Sequence, residues 1–185
     1  MSIKNPWQTL SSKVIYQNRW IKLREDQVIQ PKGAPGIYSV LEIPPAVAIV
    51  ALDESWKVCL VGQWRYTQNK FSWEIPGGSS EKTIGSILEN AKRELLEETG
   101  ISAEIWEPLG TIDNSNGATN DTAHLFLARS LKVGKPAFEE TEDIQIKWIH
   151  FDEAIDLVFK DQISESCSVA CLLKAKIFLD SKRRS

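Results

Sequence analysis

Apolar and polar positions alternate through the first part of the chain. The alternation covers residues 7–43, with turn signals at Gly33 and Gly36, and it ends at Pro44-Pro45. A period of two is typical of half-buried strands. It predicts strands at residues 12–17, 20–30 and 37–43. Together these would form a small N-terminal sheet that precedes the main fold.

A continuous apolar run follows at residues 46–52, which predicts a strand buried on both faces. A turn at residues 53–55 leads into residues 57–65, which are predicted to form the hairpin partner of that strand. Further strands are predicted at residues 103–112, 122–131 and 144–149, with a last helix over about 165–180. This order of elements indicates a mixed α/β protein.

Residues 86–99 contain neither Pro nor Gly, and Gly100 follows them. This predicts a helix that stops at the glycine. Within it, Leu88, Ala91 and Leu95 recur at helical spacing and can be buried together.

Three carboxylates lie on a different arc of the same helix. At about 100° per residue, Glu94, Glu97 and Glu98 project close together and repel one another. The basic residues Lys92 and Arg93 are not predicted to lie between them. A divalent cation such as Mg²⁺ takes oxygen ligands and would turn the repulsion into binding. An ordinary charged helix face is the alternative.

Composition and charge narrow the classes of protein. The chain has 185 residues, 42% of them hydrophobic and 25% charged, which are ordinary values for a soluble domain. The formal net charge of −3 argues against a nucleic-acid partner. An odd count of three cysteines suits a reducing cytosol. The N-terminus has no apolar stretch, and no apolar run is long enough to span a membrane, so we expect a cytoplasmic protein without a membrane partner.

The end of the predicted helix resembles a known motif. Residues 93–101, Arg-Glu-Leu-Leu-Glu-Glu-Thr-Gly-Ile, match all nine C-terminal positions of the Nudix box, G-x5-E-x7-R-E-U-x-E-E-x-G-U, where U is aliphatic. The N-terminal half departs from the pattern, because Gly85 stands at its first Glu and Ser79 at its first Gly. Gly78 restores the glycine if the loop is one residue longer, and Glu81 is the nearest carboxylate. In the family, that first Glu mostly supports the Arg of the box.

Two further stretches narrow the resemblance to one branch of the family. Gln63-Trp64-Arg65-Tyr66 and Trp73-Glu74-Ile75-Pro76-Gly77-Gly78 are similar to the Q-[FYW]-R-[YF] and E-[IL]-P-x-G motifs of the ADP-ribose and nucleoside-diphosphate-sugar branch. The resemblance implies an α/β fold: a Nudix-type α/β/α sandwich with a curved mixed sheet and an N-terminal antiparallel β extension. Residues 1–45 would be that extension, which makes a homodimer in this branch, and residues 46–185 the Nudix domain.

The resemblance also implies the roles of the box residues. Glu94 and Glu98 would hold Mg²⁺ (or Mn²⁺), with Glu97 on the same cluster. The Gly77 carbonyl would be a backbone ligand. Arg93 would orient the carboxylates.

An acidic segment at residues 135–143 matches a loop that reaches the metal cluster in this branch. By this resemblance Glu140 or Glu142 would act as the general base or as an additional metal ligand. A solvated acidic loop is the alternative.

Three more residues are substrate-binding candidates. Arg65 is implied to contact the substrate, with Glu74 in the same motif, and a surface arginine on an edge strand is the alternative. Trp20 is a candidate for stacking on the base, and a core tryptophan is the alternative. Residues 113–121, rich in Asn, are predicted to form a loop over the site.

The implied reaction is Mg²⁺-dependent hydrolysis of the pyrophosphate bond in a nucleoside diphosphate sugar, which gives a nucleoside monophosphate and a sugar phosphate. Members specific for ADP-ribose commonly carry a Pro beyond the box, where this chain has Asn116-Gly117, so a broader preference is favoured. The alternatives are an ADP-ribose-specific pyrophosphatase, another Nudix activity such as nucleoside-triphosphate clean-up, and a non-catalytic nucleotide-binding module. The missing first Glu motivates the last of these.

Overall fold

The computed structural model describes residues 4–79, 85–135 and 143–183. The strands in these ranges are β1 (Gln8–Gln17), β2 (Lys22–Ile29), β3 (Pro35–Glu42), β4 (Ala46–Ala51), β5 (Lys57–Arg65), β6 (Lys70–Glu74), β7 (Gly77–Ser79), β8 (Ile101–Asp113), β9 (Thr122–Val133) and β10 (Gln145–His150). The helices are α1 (Ile87–Thr99), α2 (Phe151–Phe159) and α3 (Ser166–Arg183). None of the helices described is long and apolar enough to cross a membrane.

The chain forms two compact units. The first consists of the residues up to Pro45 together with Asp113–Thr122, and the second of Ala46–Ile112 and Ala123–Ser185. In the first unit, β1, β2 and β3 pair in sequence order as an antiparallel sheet. The N-terminal sheet predicted from the alternation is therefore confirmed, with β1 beginning at Gln8 rather than at residue 12.

The segment predicted to form a loop over the site, residues 113–121, is tied to β3 and the residue after it. The Tyr38 hydroxyl donates to the carbonyl of Gly117 at 2.7 Å, and the Ile43 N–H donates to Oδ1 of Asn120 at 2.8 Å. These partners lie 79 and 77 positions apart in the chain. Local sequence pattern carries no signal for such distant pairings.

The second unit is built around β4, whose side chains are buried on both faces as predicted. The residues Val47, Ile49 and Ala51 belong to one hydrophobic cluster with Ala91 and Leu95 of α1. The alternate residues of β4 belong to a second cluster, which includes buried side chains of α2 and α3. A sheet layer thus lies between helices, which confirms the α/β/α sandwich. The layer is mixed, since β4 runs antiparallel to β7 and parallel to β9.

The predicted hairpin of β4 with β5 is wrong. A bridge between Leu52 and Val58 joins the two strands, after which they enter different sheets. The four-stranded sheet has the order β7-β4-β9-β8, and β5 lies between β10 and β6 in a three-stranded sheet. Both strands are buried on both faces and already paired along both edges, so neither has an edge left for the other.

The predicted helix before Gly100 is confirmed as α1. The Ser86 hydroxyl caps its N-terminus by accepting from the Glu89 N–H at 3.2 Å. The helix ends at Gly100, whose φ of +71° is the left-handed conformation that favours glycine at this position. The side chains of Ala91 and Leu95 are wholly buried, so the apolar face fixes which way the acidic face points.

Candidate active site

Two glutamates of α1 lie against the Gly77-Gly78 backbone. Glu98 is only 4% exposed, and its carboxylate accepts a hydrogen bond from the Gly77 N–H at 2.9 Å. A Cβ added at Gly78 would lie 2.6 Å from Oε2 of Glu94. The absence of a side chain at Gly78 therefore makes the space for the Glu94 carboxylate, and the structure brings Glu94, Glu98 and Gly77 together.

Arg93 holds the other carboxylates of this face. Its Nη2 donates to Glu94 Oε1 and its Nη1 to Glu97 Oε2, each at 2.6 Å. The expectation that no basic residue lies between the three glutamates was wrong, because a long arginine can bridge a neighbouring residue and the one a turn away. Burial by itself lowers the pKa of Arg93. The two carboxylates raise this pKa by a larger amount, so it lies above the ordinary value for arginine.

The altered N-terminal half of the box is reflected in the hydrogen bonding of Arg93. Its Nε is buried and has no hydrogen-bond partner among the described residues. Gly85, at the position of the pattern's first Glu, has a φ of +72° and offers no side chain. This agrees with the implied role of that Glu in supporting the arginine. Glu81, the nearest carboxylate in sequence, lies outside the described residues.

The donor set suits a hard divalent cation. In the three described ranges of the chain, no three acidic, cysteine or histidine side chains are grouped to hold a metal ion by themselves. Mg²⁺, however, commonly binds through one or two carboxylates and completes its shell with waters and substrate phosphates. Glu94 and Glu98 supply two carboxylates beside a glycine backbone, so the residues present fit Mg²⁺. Ligation by Glu97 and by the Gly77 carbonyl stays a prediction.

A cleft with a volume of about 690 Å³ opens beside these groups in the second unit. Gly77 and Gly78 line it, together with Arg65, Glu74 and residues 164–167. The glycine backbone that Glu94 and Glu98 contact thus lines a cavity large enough for a nucleotide-sized ligand.

Arg65 and Glu74 form a bidentate ion pair in this cleft. The Arg65 Nε donates to Glu74 Oε1 at 2.9 Å, and Nη2 pairs with Oε2. The hydrogen bonds to Glu74 raise the pKa of Arg65, and the charges of Glu98 and Glu165 act in the same direction. Arg65 is therefore fixed at the cleft, rather than free on an edge strand.

The remaining predicted site residues are Trp20, Glu140 and Glu142. Trp20 belongs to the first unit and is 62% exposed, with the Arg19 guanidinium 4.1 Å from the ring centroid. A core role for Trp20 within this chain is thereby excluded, and base stacking stays a prediction. Glu140 and Glu142 lie outside the described residues.

Helix α3 supports the cleft through contacts that were not predicted from the sequence. Ser168 is wholly buried, and its hydroxyl accepts from the Ile75 N–H at 3.1 Å and donates to Glu165 at 2.8 Å. Glu165 also accepts from the backbone N–H of Ser168, as a cap of α3. This chain of contacts anchors the segment between β6 and β7, two residues before Gly77. An acidic residue ahead of a helix suggests a cap, but nothing in the sequence links it to Ile75, 93 positions away.

Ser168→Ala is expected to lower the free energy of unfolding by about 1–3 kcal/mol, because it leaves the buried Ile75 N–H without an acceptor. Urea denaturation followed by circular dichroism measures this. The matched control is Ser181→Ala, an exposed serine on the same helix, which should change stability by less than about 0.5 kcal/mol. Equal stability of the two variants would show that the Ile75 contact contributes little.

Comparison with known proteins agrees with this geometry. Residues 42–167 match the model of the NUDIX domain, and residues 7–41 match the model of the nucleoside diphosphate sugar hydrolase N-terminal domain. A crystal structure of an ADP compounds hydrolase superposes with a TM-score of 0.86 at 18% identity, covering all of both chains. That likeness supports the fold.

Curated relatives match along most of their length. The chain is 33% identical to an ADP-ribose pyrophosphatase of Mycobacterium tuberculosis, over 92% of this chain and 83% of the relative. It is 31% identical to the methanol dehydrogenase activator of Bacillus methanolicus, over 88% of each, and 29% identical to an ADP-ribose pyrophosphatase of Bacillus subtilis, over 86% of each. The chain therefore belongs to the Nudix hydrolase family, with an N-terminal domain of the nucleoside diphosphate sugar hydrolase type.

Proposed function

We propose that this protein hydrolyses the pyrophosphate bond of nucleoside diphosphate sugars and releases a nucleoside monophosphate and a sugar phosphate. The observation that carries the proposal is the contact of Glu94 and Glu98 with the Gly77-Gly78 backbone, which lines the cleft. The type of the N-terminal domain supports sugar nucleotides as the substrate class. The names of two relatives support ADP-ribose as one member of that class.

Each residue of the site has a part in this reaction. Glu94 and Glu98 would hold Mg²⁺ or Mn²⁺, which when bound supplies positive charge against the diphosphate and makes the attacking water more acidic. The Gly77 N–H fixes the Glu98 carboxylate. Arg93 fixes Glu94 and Glu97 so that their charges do not drive them apart.

The substrate needs contacts beyond the carboxylates. Arg65, held in place by the buried Glu74, contacts the substrate in the cleft. Trp20, exposed in the first unit, stacks on the base. Glu140 or Glu142 takes the proton from the attacking water.

We further propose that the protein is a homodimer formed through its N-terminal sheet. All ten residues of β1 are exposed in the single chain, and its apolar side chains Leu10, Val14 and Tyr16 are 56%, 49% and 54% exposed. A strand that exposes such apolar side chains to water favours their burial against a partner chain. The dimer is expected to persist at the concentrations used for assay.

Replacing both Leu10 and Val14 with Asp is expected to convert the dimer to a monomer, because burying two carboxylates in the interface costs several kcal/mol. Light scattering during size-exclusion chromatography measures the mass. Lys13→Gln on the same exposed strand is the control and should stay dimeric. A wild-type protein with the mass of one chain would disprove the dimer.

Product analysis separates this function from its rivals. Anion-exchange chromatography after incubation with ADP-ribose and GDP-mannose should find a nucleoside monophosphate and a sugar phosphate in equal amounts. Faster turnover of a free nucleoside triphosphate would favour a clean-up activity, and turnover of ADP-ribose alone would favour the narrower pyrophosphatase. Binding without any turnover would mean a non-catalytic module.

A further inference from the structure

The floor of the cleft presents a second cation, Lys70. Because successive residues of a strand point to opposite faces, Lys70, Ser72 and Glu74 of β6 share the face that lines the cleft. Across the β5–β6 pair, Lys70 lies directly opposite Arg65, which also lines the cleft. Two like charges opposite one another on neighbouring strands are unfavourable unless another charge offsets them.

The two carboxylates in the described lining of the cleft, Glu74 and Glu165, are already engaged. Glu74 pairs with Arg65 through both oxygens. Glu165 accepts from the N–H groups of Cys167 and Ser168, which cap α3. Lys70 is exposed, and its hydrogen bond among the described residues is to the uncharged hydroxyl of Ser164 at 3.1 Å. Among the residues that the structure describes, this end of the cleft therefore has a cation without a carboxylate counterpart.

The position of Lys70 decides which part of a substrate it can reach. Lys70 and Glu74 are four positions apart along β6, which corresponds to about 13 Å at the usual rise of a strand. Gly77, which contacts the carboxylates of α1, lies beyond Glu74 in the chain. Lys70 is therefore at the end of β6 opposite to the one that leads into Gly77. Beside Lys70, the uncharged Thr67 and Gln68 line the cleft and can bind hydroxyl groups.

We propose that Lys70 forms a subsite for an anionic group on the part of the substrate remote from the scissile pyrophosphate. The inference rests on the proposed function and deepens it: the preferred sugar nucleotides carry an additional acidic group. That group is either the carboxylate of a hexuronic acid or an extra phosphate on a ribose. Ser164 holds the lysine ammonium at the cleft and leaves its other protons for the anion.

The test compares charged and neutral substrates of the same skeleton. The pairs are UDP-glucuronate with UDP-glucose, and ADP-ribose 2′-phosphate with ADP-ribose. In at least one pair the wild type should prefer the charged member by about three- to fivefold in kcat/KM, a size typical of an exposed ion pair. Lys70→Met should abolish the preference without changing kcat/KM for the neutral member more than about twofold. Lys160→Met, which changes an exposed lysine outside the cleft, should keep the preference for the charged member.

Two further readouts make the outcome decisive. The preference should weaken as ionic strength rises, because an exposed ion pair is screened by salt. Titration calorimetry with the same nucleotides in EDTA should show tighter binding of the charged member, and Lys70→Met should abolish that difference in affinity. If no sugar nucleotide is hydrolysed, the proposed function fails, and a binding preference that Lys70→Met removes still supports the subsite. Equal affinity for charged and neutral members in both pairs, or a preference that survives in Lys70→Met, overturns the subsite.

Discussion

Glu98→Gln is expected to lower kcat for sugar nucleotides by about two to three orders of magnitude while the protein stays folded. The change removes the charge of one of the two carboxylates that meet the Gly77-Gly78 backbone, and metal-ion charge stabilisation is worth several kcal/mol in such reactions, at about 1.4 kcal/mol per tenfold. The fold should survive, because the amide oxygen of Gln can still accept from the Gly77 N–H. Steady-state kinetics with saturating Mg²⁺ and urea denaturation measure the two effects.

A matched control separates loss of this carboxylate from loss of negative charge in general. Glu153→Gln makes the same change at an exposed position on α2 and should leave kcat within about twofold, as surface substitutions usually do. Turnover by Glu98→Gln equal to that of the control would remove Glu98 from the chemistry.

Gly78→Ala is expected to reduce kcat by tenfold or more. Changes to residues that position metal ligands commonly lower activity by roughly 10–100-fold. A Cβ at Gly78 would lie 2.6 Å from Oε2 and 2.8 Å from Cδ of Glu94. The carboxylate, at the end of a flexible side chain, must move away from the backbone and from Arg93. The predicted loss is therefore mainly of activity, and kcat measured over a range of Mg²⁺ concentrations should show it.

The neighbouring Gly77→Ala gives the contrasting result. Its Cβ would lie 2.3 Å from the carbonyl oxygen of Val47 and 3.0 Å from Cα of Ala48, which are backbone atoms of a central strand. These atoms cannot turn aside, so the free energy of unfolding should fall by about 1–3 kcal/mol or more. Equal activity and equal stability in Gly78→Ala and wild type would show that the Glu94 carboxylate does not need its present position.

Features governed by neighbours in sequence could be predicted. The helix before Gly100 followed from spacing and from a glycine stop, since both act within one or two turns. The layer of sheet between helices followed from an apolar run at β4 with no alternation, because only a strand covered on both faces tolerates it.

Features governed by distant partners could not be predicted. The separation of β4 and β5 into two sheets depends on β9 and β10, which follow much later in the chain. The contact of Ser168 with Ile75 spans 93 positions. The bridging geometry of Arg93 depends on side-chain rotamers, which the helical spacing of the residues does not specify. The box motif identified the carboxylates, but the cleft could be located only once the fold was known, because its lining residues come from distant parts of the chain.

The most direct test is phosphate release from ADP-ribose, ADP-glucose, GDP-mannose and UDP-glucose, coupled to a phosphatase and measured with Mg²⁺ and with EDTA. Wild-type protein should hydrolyse several of these with Mg²⁺ and none with EDTA, and Glu98→Gln should be nearly inactive on all of them. Hydrolysis that persists in EDTA, or no turnover of any sugar nucleotide while binding is still detected, would contradict a metal-dependent sugar-nucleotide hydrolase built on Glu94 and Glu98.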